Sequence, residues 1–275
     1  MNRRTFLGSM AAATLFARSL ARGADIHRAR PLGAELYTVR QQMKEDFDGT
    51  LAKVAAIGYR EVEFAGYLDH DPKQVKASLK ANGLVAPSAH FDYKQVTENL
   101  PALLDAAHTV GHEYIVCPSI DEKVRHEPGI WQHVSEAFNR AGEATKKAGI
   151  QFAYHNHSFE FEAVDGKLPY DILLSETNPE LVKLEMDLYW IEKGGADPLT
   201  YFKRYPGRFP LVHVKGRDKS GNMSSVNGEN SIDWKSIFAH SDEAGIRHYI
   251  VEHDNPQSPF ESLETSFHYL EQLRF

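Results

Sequence analysis

The chain is poor in several patterns, and each absence excludes something. Its 275 residues include one cysteine, Cys117, so no disulfide can form within the chain and no cysteine cluster can hold a metal. No run of about 18 apolar residues occurs, so no segment reads as a membrane-spanning helix. No GxGxxG follows the first strand-like run, which removes the usual dinucleotide fingerprint. Linkers, low-complexity segments and blocks of like charge are also missing. Basic side chains number 31 against 38 acidic ones, a formal charge of −7. An acidic chain without a basic run argues against nucleic acid or an anionic membrane as a partner.

Acidic residues are absent before Asp25. The start reads Asn2-Arg3-Arg4-Thr5-Phe6-Leu7, followed by a modest apolar stretch from Met10 to Ala17 and small residues near Ala21 and Gly23. A basic start, a short apolar middle and small residues form an export signal. Paired arginines before Phe-Leu resemble the twin-arginine (Tat) signal. Residues 1–23 are therefore expected to be removed, leaving a folded domain over 24–275. The Tat export machinery is the expected partner and the periplasm, or another extracytoplasmic space, the destination. Loss of the four arginines in 1–23 takes the formal charge from −7 to −11. The Tat route carries folded proteins, which suits a protein that takes up a metal before export.

What is present is alternation. Hydrophobic residues make up 42% of the chain, enough for one large core. Strand-like runs fall at Leu32–Tyr37, Glu61–Phe64, Val85–His90, Tyr114–Cys117, Phe152–His155, Val182–Asp187, Leu211–Val214 and Tyr249–Glu252, with amphipathic stretches between them. Helices are predicted over Phe47–Ile57, Val96–Val110 and Ile130–Ala148. Asp197-Pro198 and Asp233 look like helix N-caps. Gly58, Gly83, Gly111, Gly149 and Gly245 stand where a left-handed C-cap precedes the next strand. A βα unit of about 30 residues repeated some eight times predicts an α/β fold, a single (β/α)8 TIM barrel. A doubly wound open sheet is the alternative.

Ionisable residues gather at the ends of the later strands, in FAYHNH (152–157), VKLEMD (182–187), PLVHVK (210–215) and YIVEHD (249–254). Ligands of parallel α/β sheets bind at the carboxyl ends of strands. Strand alternation gives Glu185 and Asp187 one face, as it does His213 with Lys215, Glu252 with Asp254 and His155 with His157. Asp187, His213 and Glu252 together make a plausible site for manganese, magnesium, cobalt or zinc, since carboxylate oxygen and imidazole nitrogen suit those ions. Glu252 is the first choice for a base or ligand, and Glu185 is a further candidate catalytic carboxylate, with a ligand or a salt-bridge partner as its other readings. Lys215 or His155 could stabilise a developing oxyanion. His90 is a wall residue or a substrate contact, and Asn156 and His253 would orient neighbours. The polar loops Ser158–Lys167 and Gly216–Ser231 could cover the site. Cys117 is expected to be a buried structural thiol.

The stretches LGAELYTVR (32–40), GYREVEFAGY (58–67), FAYHNHSFEF (152–161), LEMDLYWIEKGGADP (184–198), HVKGRD (213–218) and GENSIDWKSIF (228–238) resemble, in order and spacing, the sugar phosphate isomerase/epimerase family of xylose isomerase-like TIM barrels. That resemblance implies a metal held by Glu on strand 5, Asp on strand 6, His on strand 7 and Glu on strand 8. The last three map onto Asp187, His213 and Glu252. The first is replaced by Ala153 or Tyr154, so Glu160, Glu185 or His155 must substitute, and Glu160 is entered as the fourth ligand. Glu63 matches an acidic residue of the family's substrate pocket, and His90, His155, His157 and Arg217 complete the expected substrate contacts. The implied activity is metal-dependent proton transfer next to a carbonyl, in a sugar isomerase or epimerase. Export argues for a free sugar, keto-sugar or glycoside over a phosphorylated one. Two alternatives are a lyase that cleaves keto-glycosides on the same site and a carbohydrate-binding barrel without catalysis. A metal-dependent endonuclease is disfavoured by the acidic charge and the export signal.

Overall fold

The computed structural model describes residues 27–275; the expected export signal, 1–23, lies outside the described residues. Eight parallel strands close into a barrel. They are β1 (Leu32–Glu35), β2 (Glu61–Phe64), β3 (Val85–His90), β4 (Tyr114–Cys117), β5 (Gln151–His155), β6 (Val182–Asp187), β7 (Leu211–Val214) and β10 (His248–Val251). A small antiparallel ribbon, β8 (Gly216–Arg217) with β9 (Met223–Ser224), stands between the last two. The barrel order is β1, β10, β7, β6, β5, β4, β3, β2, so the last strand pairs with the first, Leu32 opposite Tyr249. Helices connect the strands, and the fold is a single (β/α)8 barrel.

The local chemistry explains the boundaries. Asp197 accepts hydrogen bonds from the Leu199 and Thr200 amides, and Asp233 from that of Ser236, so both cap helices as anticipated. Gly111 ends its helix in the left-handed region at φ 105°. Two elements depart from expectation. β1 stops at Glu35 rather than Tyr37, because the Glu35 carboxylate accepts the Tyr37 amide and turns the chain into a 3-10 helix, Leu36–Val39. The helix predicted over Val96–Val110 is two helices, Tyr93–Glu98 and Leu100–Val110. Pro101 has no N–H to give the Thr97 carbonyl, and Asn99 breaks the path at φ −132°.

Alternation along the strands sorts the core in two. The larger cluster, including Val212, Val214, Leu184 and Met186, packs between strands and helices. A separate cluster of Tyr114, Val116, Ala153, Leu211 and Ile250 fills the barrel interior. Two residues further along the same faces stand His155, His213 and Glu252, all buried. The apolar interior is thus a floor beneath a polar, ionisable layer. Gly216 carries the chain away from that layer. A Cβ there would lie 2.3 Å from the Ser225 carbonyl oxygen and 2.5 Å from that of Ser224, so the ribbon closes over β7 only with glycine. Among the described residues no helix is long and apolar enough to cross a membrane.

Candidate active site

Four side chains from consecutive barrel positions meet at the strand ends. His155 on β5, Asp187 on β6, His213 on β7 and Glu252 just past β10 each offer a donor atom, all within 4.8 Å of one another. Register makes this possible, since Asp187 lies directly opposite His213. Each donor is aimed by a second contact. Asp187 caps the helix Leu188–Lys193, its Oδ1 accepting the Tyr189 and Trp190 amides at 2.9 and 2.8 Å, which turns Oδ2 to the site. Its own amide donates to Asn156 Oδ1, giving Asn156 the orienting part foreseen for it. His155 Nδ1 lies 3.2 Å from the Pro118 carbonyl oxygen, which fixes the ring and leaves Nε2 facing Asp187 Oδ2 at 3.3 Å. His213 Nδ1 lies 2.7 Å from Glu252 Oε2, yet it is buried without a hydrogen-bond partner because the two are out of line.

Lys215 completes this outer group. Its Nζ is 3.0 Å from Asp187 Oδ2, 2.8 Å from Glu252 Oε2 and 2.6 Å from Asp254 Oδ1. Burial works against all of these charges, but mutual attraction wins. Against that penalty Lys215 and His155 bring Asp187 down to about 2, and Lys215 and His213 hold Glu252 well below the usual carboxylate range. Lys215 itself stays well above its ordinary value. Burial and the neighbouring Glu252 push Asp254 up to about 6. Burial and His213 lower His155 to about 4, so its imidazole is neutral at pH 7, the form a metal ligand requires.

An inner group adjoins the outer one. Glu63 Oε1 is 2.7 Å from His213 Nε2 and 3.0 Å from His90 Nε2, while Glu185 Oε2 is 2.7 Å from His90 Nε2. Glu35, paired in register with Glu63, joins them. Burial and Glu63 raise Glu35 well above its usual value and bring Glu185 up to about 7. His90 and His213 are held well above theirs, because the carboxylates outweigh burial.

Three expected site residues stand apart. Glu160 does not enter either group: its carboxylate accepts from Tyr154 Oη at 2.5 Å and from the His157 amide at 2.8 Å. The turn Phe159–Phe161 folds it back behind β5, so His155, not Glu160, stands in the fourth position. Burial pushes Glu160 up to about 8. His157 lies at the rim, its ring 5.0 Å from that of His155 and 5.5 Å from Trp190, with Nδ1 buried and unpartnered. Arg217 lies in the ribbon, Nη1 donating to Ser231 Oγ at 3.2 Å. The sequence reading had left Glu35, Asp254 and Trp190 unassigned. Parity with Glu252 was a usable signal for Asp254. Glu35 gives none, because the first strand is expected to run on to Tyr37 and ends at Glu35 only in the structure. Cys117 is buried and its thiol is pushed up to about 12 by burial, so it is no nucleophile at neutral pH.

The donors fit a divalent ion. Two imidazoles and two carboxylates converge, and the set contains no sulfur. This donor set stands at the mouth of a closed parallel barrel. The model of the xylose isomerase-like TIM barrel family matches residues 51–273, and the chain belongs to that family. Among its relatives is an inosose dehydratase of Lacticaseibacillus casei, 26% identical, with 74% of this chain and 80% of that protein covered. A sugar phosphate isomerase/epimerase from Parabacteroides distasonis is 29% identical in sequence and superposes with a TM-score of 0.76 over 88% of this chain and 94% of that one. The IOLI protein, solved with a zinc atom bound, is similar in fold at a TM-score of 0.66 and 16% identity, covering 86% and 95% of the two chains.

Proposed function

We propose that this protein is a metal-dependent enzyme that moves a proton on the carbon next to a carbonyl, in a free keto-sugar, keto-glycoside or keto-polyol. The observation that carries the reading is the convergence of His155, Asp187, His213 and Glu252 on one point. A divalent ion held there would act as a Lewis acid toward a carbonyl and its neighbouring hydroxyl. The chain's own residues supply the rest. Asp254, brought to about 6 and 19% exposed at its side chain, is the acid–base group best matched to neutral pH and to an arriving substrate. Glu185, at about 7, is comparably tuned but fully buried, so it serves the inner group instead. Lys215 holds Asp254 in place and puts a fixed positive charge beside the position where an oxyanion develops. His157 and Trp190 form the rim against which the substrate lies.

Isomerisation or epimerisation follows if the proton returns to carbon. Elimination follows if a hydroxyl or glycosyl oxygen leaves from the next carbon, a second reading favoured by the inosose dehydratase relatives. Incubation with candidate keto-sugars and inososes in deuterated water, followed by NMR, tests both. Deuterium at the carbon next to the carbonyl is expected with added manganese or cobalt, and Asp254→Asn should abolish it. Recovery of deuterated substrate or its epimer marks an isomerase, and an unsaturated product marks a lyase. No exchange with any divalent ion would defeat the reading and leave a binding barrel. We also propose that residues 1–23 direct export of a mature domain over 24–275. Substituting Arg3 and Arg4 by lysine should then keep the protein in the cytoplasm, and export unchanged by that substitution would refute a Tat route.

A further inference from the structure

His213 has two ring nitrogens, and each faces a different set of ligand atoms. Nδ1 lies 2.7 Å from Glu252 Oε2 in the outer group and Nε2 lies 2.7 Å from Glu63 Oε1, and His213 also offers a donor atom to the group of Glu35, Glu63 and His90. We propose that this inner group is a second divalent-cation site, joined to the first through the shared imidazole of His213. The inference rests on the metal reading of the outer group.

Three observations carry it. Glu35 Oε2, Glu63 Oε2 and Glu185 Oε1 are buried oxygens without any hydrogen-bond partner. Such atoms are costly to bury, and one cation can satisfy several of them at once. Next, the group has no fixed positive charge of its own. Lys215 reaches Asp187, Glu252 and Asp254, and among the described residues no lysine or arginine nitrogen lies within 4.0 Å of Glu35, Glu63 or Glu185. Three carboxylates therefore share two histidines. Last, the spacing is that of ligands on one ion. His213 Nε2 and His90 Nε2 stand 2.7 and 3.0 Å from the same Glu63 oxygen. Neighbouring corners of an octahedron with bonds of about 2.1 Å are about 3 Å apart. Oxygen and imidazole ligands without sulfur select the same hard or borderline ions as the outer group.

With only the outer site filled, the Nε2 proton of His213 is donated to Glu63, an orienting contact common around metal-bound histidines. Filling the inner site exchanges that proton for an ion. The proton would leave to solvent, and both ring nitrogens of His213 would then serve as ligands.

Counting metal tests this directly. The full chain, stripped with a chelator, is dialysed against manganese or cobalt, and bound metal is measured by plasma mass spectrometry. Two equivalents are expected, falling to one in Glu35→Gln and in Glu63→Gln. The electron paramagnetic resonance spectrum of the first manganese should broaden as the second enters, because the two ions share one ring. A single equivalent in the unaltered protein overturns the inference and leaves the outer site standing. No bound metal overturns both. Two equivalents without spectral broadening, or two retained in both variants, place the second ion elsewhere and also overturn it. The measurements on the unaltered protein hold whether or not the variants fold.

Discussion

The outer and inner groups each gather three carboxylates in one barrel, and they compensate the charge by different means. In the outer group Lys215 touches Asp187, Glu252 and Asp254, and the first two are locked in their ionised form. In the inner group only histidines answer Glu35, Glu63 and Glu185, and protons take up the balance, with Glu35 raised far above its usual value and Glu185 at about 7. A fixed cation holds Asp187 and Glu252 ionised across neutral pH and leaves only Asp254 to titrate near it. A proton-balanced site adjusts its charge to whatever enters. The same barrel floor supports both, so the difference comes from which strand end supplies the lysine.

The largest effect should come from breaking the outer group at its centre. Asp187→Asn keeps the cap on the following helix through Oδ1 but removes a charged donor. Turnover in the deuterium-exchange assay should fall by more than about 100-fold, and bound metal should fall with it. Preserved metal content would remove Asp187 from the ligand set. Next, Lys215→Met leaves the outer carboxylates without their cation. Removing one partner of a buried ion pair costs about 3–5 kcal/mol, readable as a shift of the urea midpoint for the metal-free protein. Added divalent metal should restore part of it, and a midpoint unmoved by the substitution would show that Lys215 is not the outer group's counter-ion.

Glu160 sharpens the contrast, as an acid with donors but no cation. Its folded value of about 8 stands above the ordinary 4.5. The folded state therefore holds a proton that the unfolded chain releases between those values. Stability is fully present below about pH 4.5 and is lost as pH rises toward 8, by on the order of 5 kcal/mol. Glu160→Gln should flatten the fall of melting temperature between pH 5 and 8, and an unchanged slope would assign that fall to other groups. The smallest effect is expected outside both groups: Cys117→Ala should cost about 1 kcal/mol and leave turnover unaltered. A larger loss of activity would mean that the β4 end contributes to the site.

Much of this was legible in the sequence because strand parity is rigid. Asp187, His213 and Glu252 could be grouped from alternation alone, and the caps at Asp197 and Asp233 announced their helices. The fourth position was not legible. A glutamate six residues from Tyr154 looks like a ligand until the turn Phe159–Phe161 is seen to send it back to the Tyr154 hydroxyl. Glu35 escaped for a similar reason, since its local contact with the Tyr37 amide is that of an ordinary cap. Its second contact depends on the register between β1 and β2, which no local pattern encodes. The helix break at Asn99 was open to view in Pro101 and was overridden by the apolar periodicity around it.

Barrel closure sets an order of events for the growing chain. The paired ends of the sheet are its first strand, Leu32–Glu35, and its last, His248–Val251. Glu35 and Glu63 are made well before Glu252 and Asp254. The carboxylate on β1 must wait for the last barrel strand before its sheet neighbour on that side arrives. A chain that lacks the strand His248–Val251 and the residues after it therefore holds neither the closed barrel nor the complete outer group.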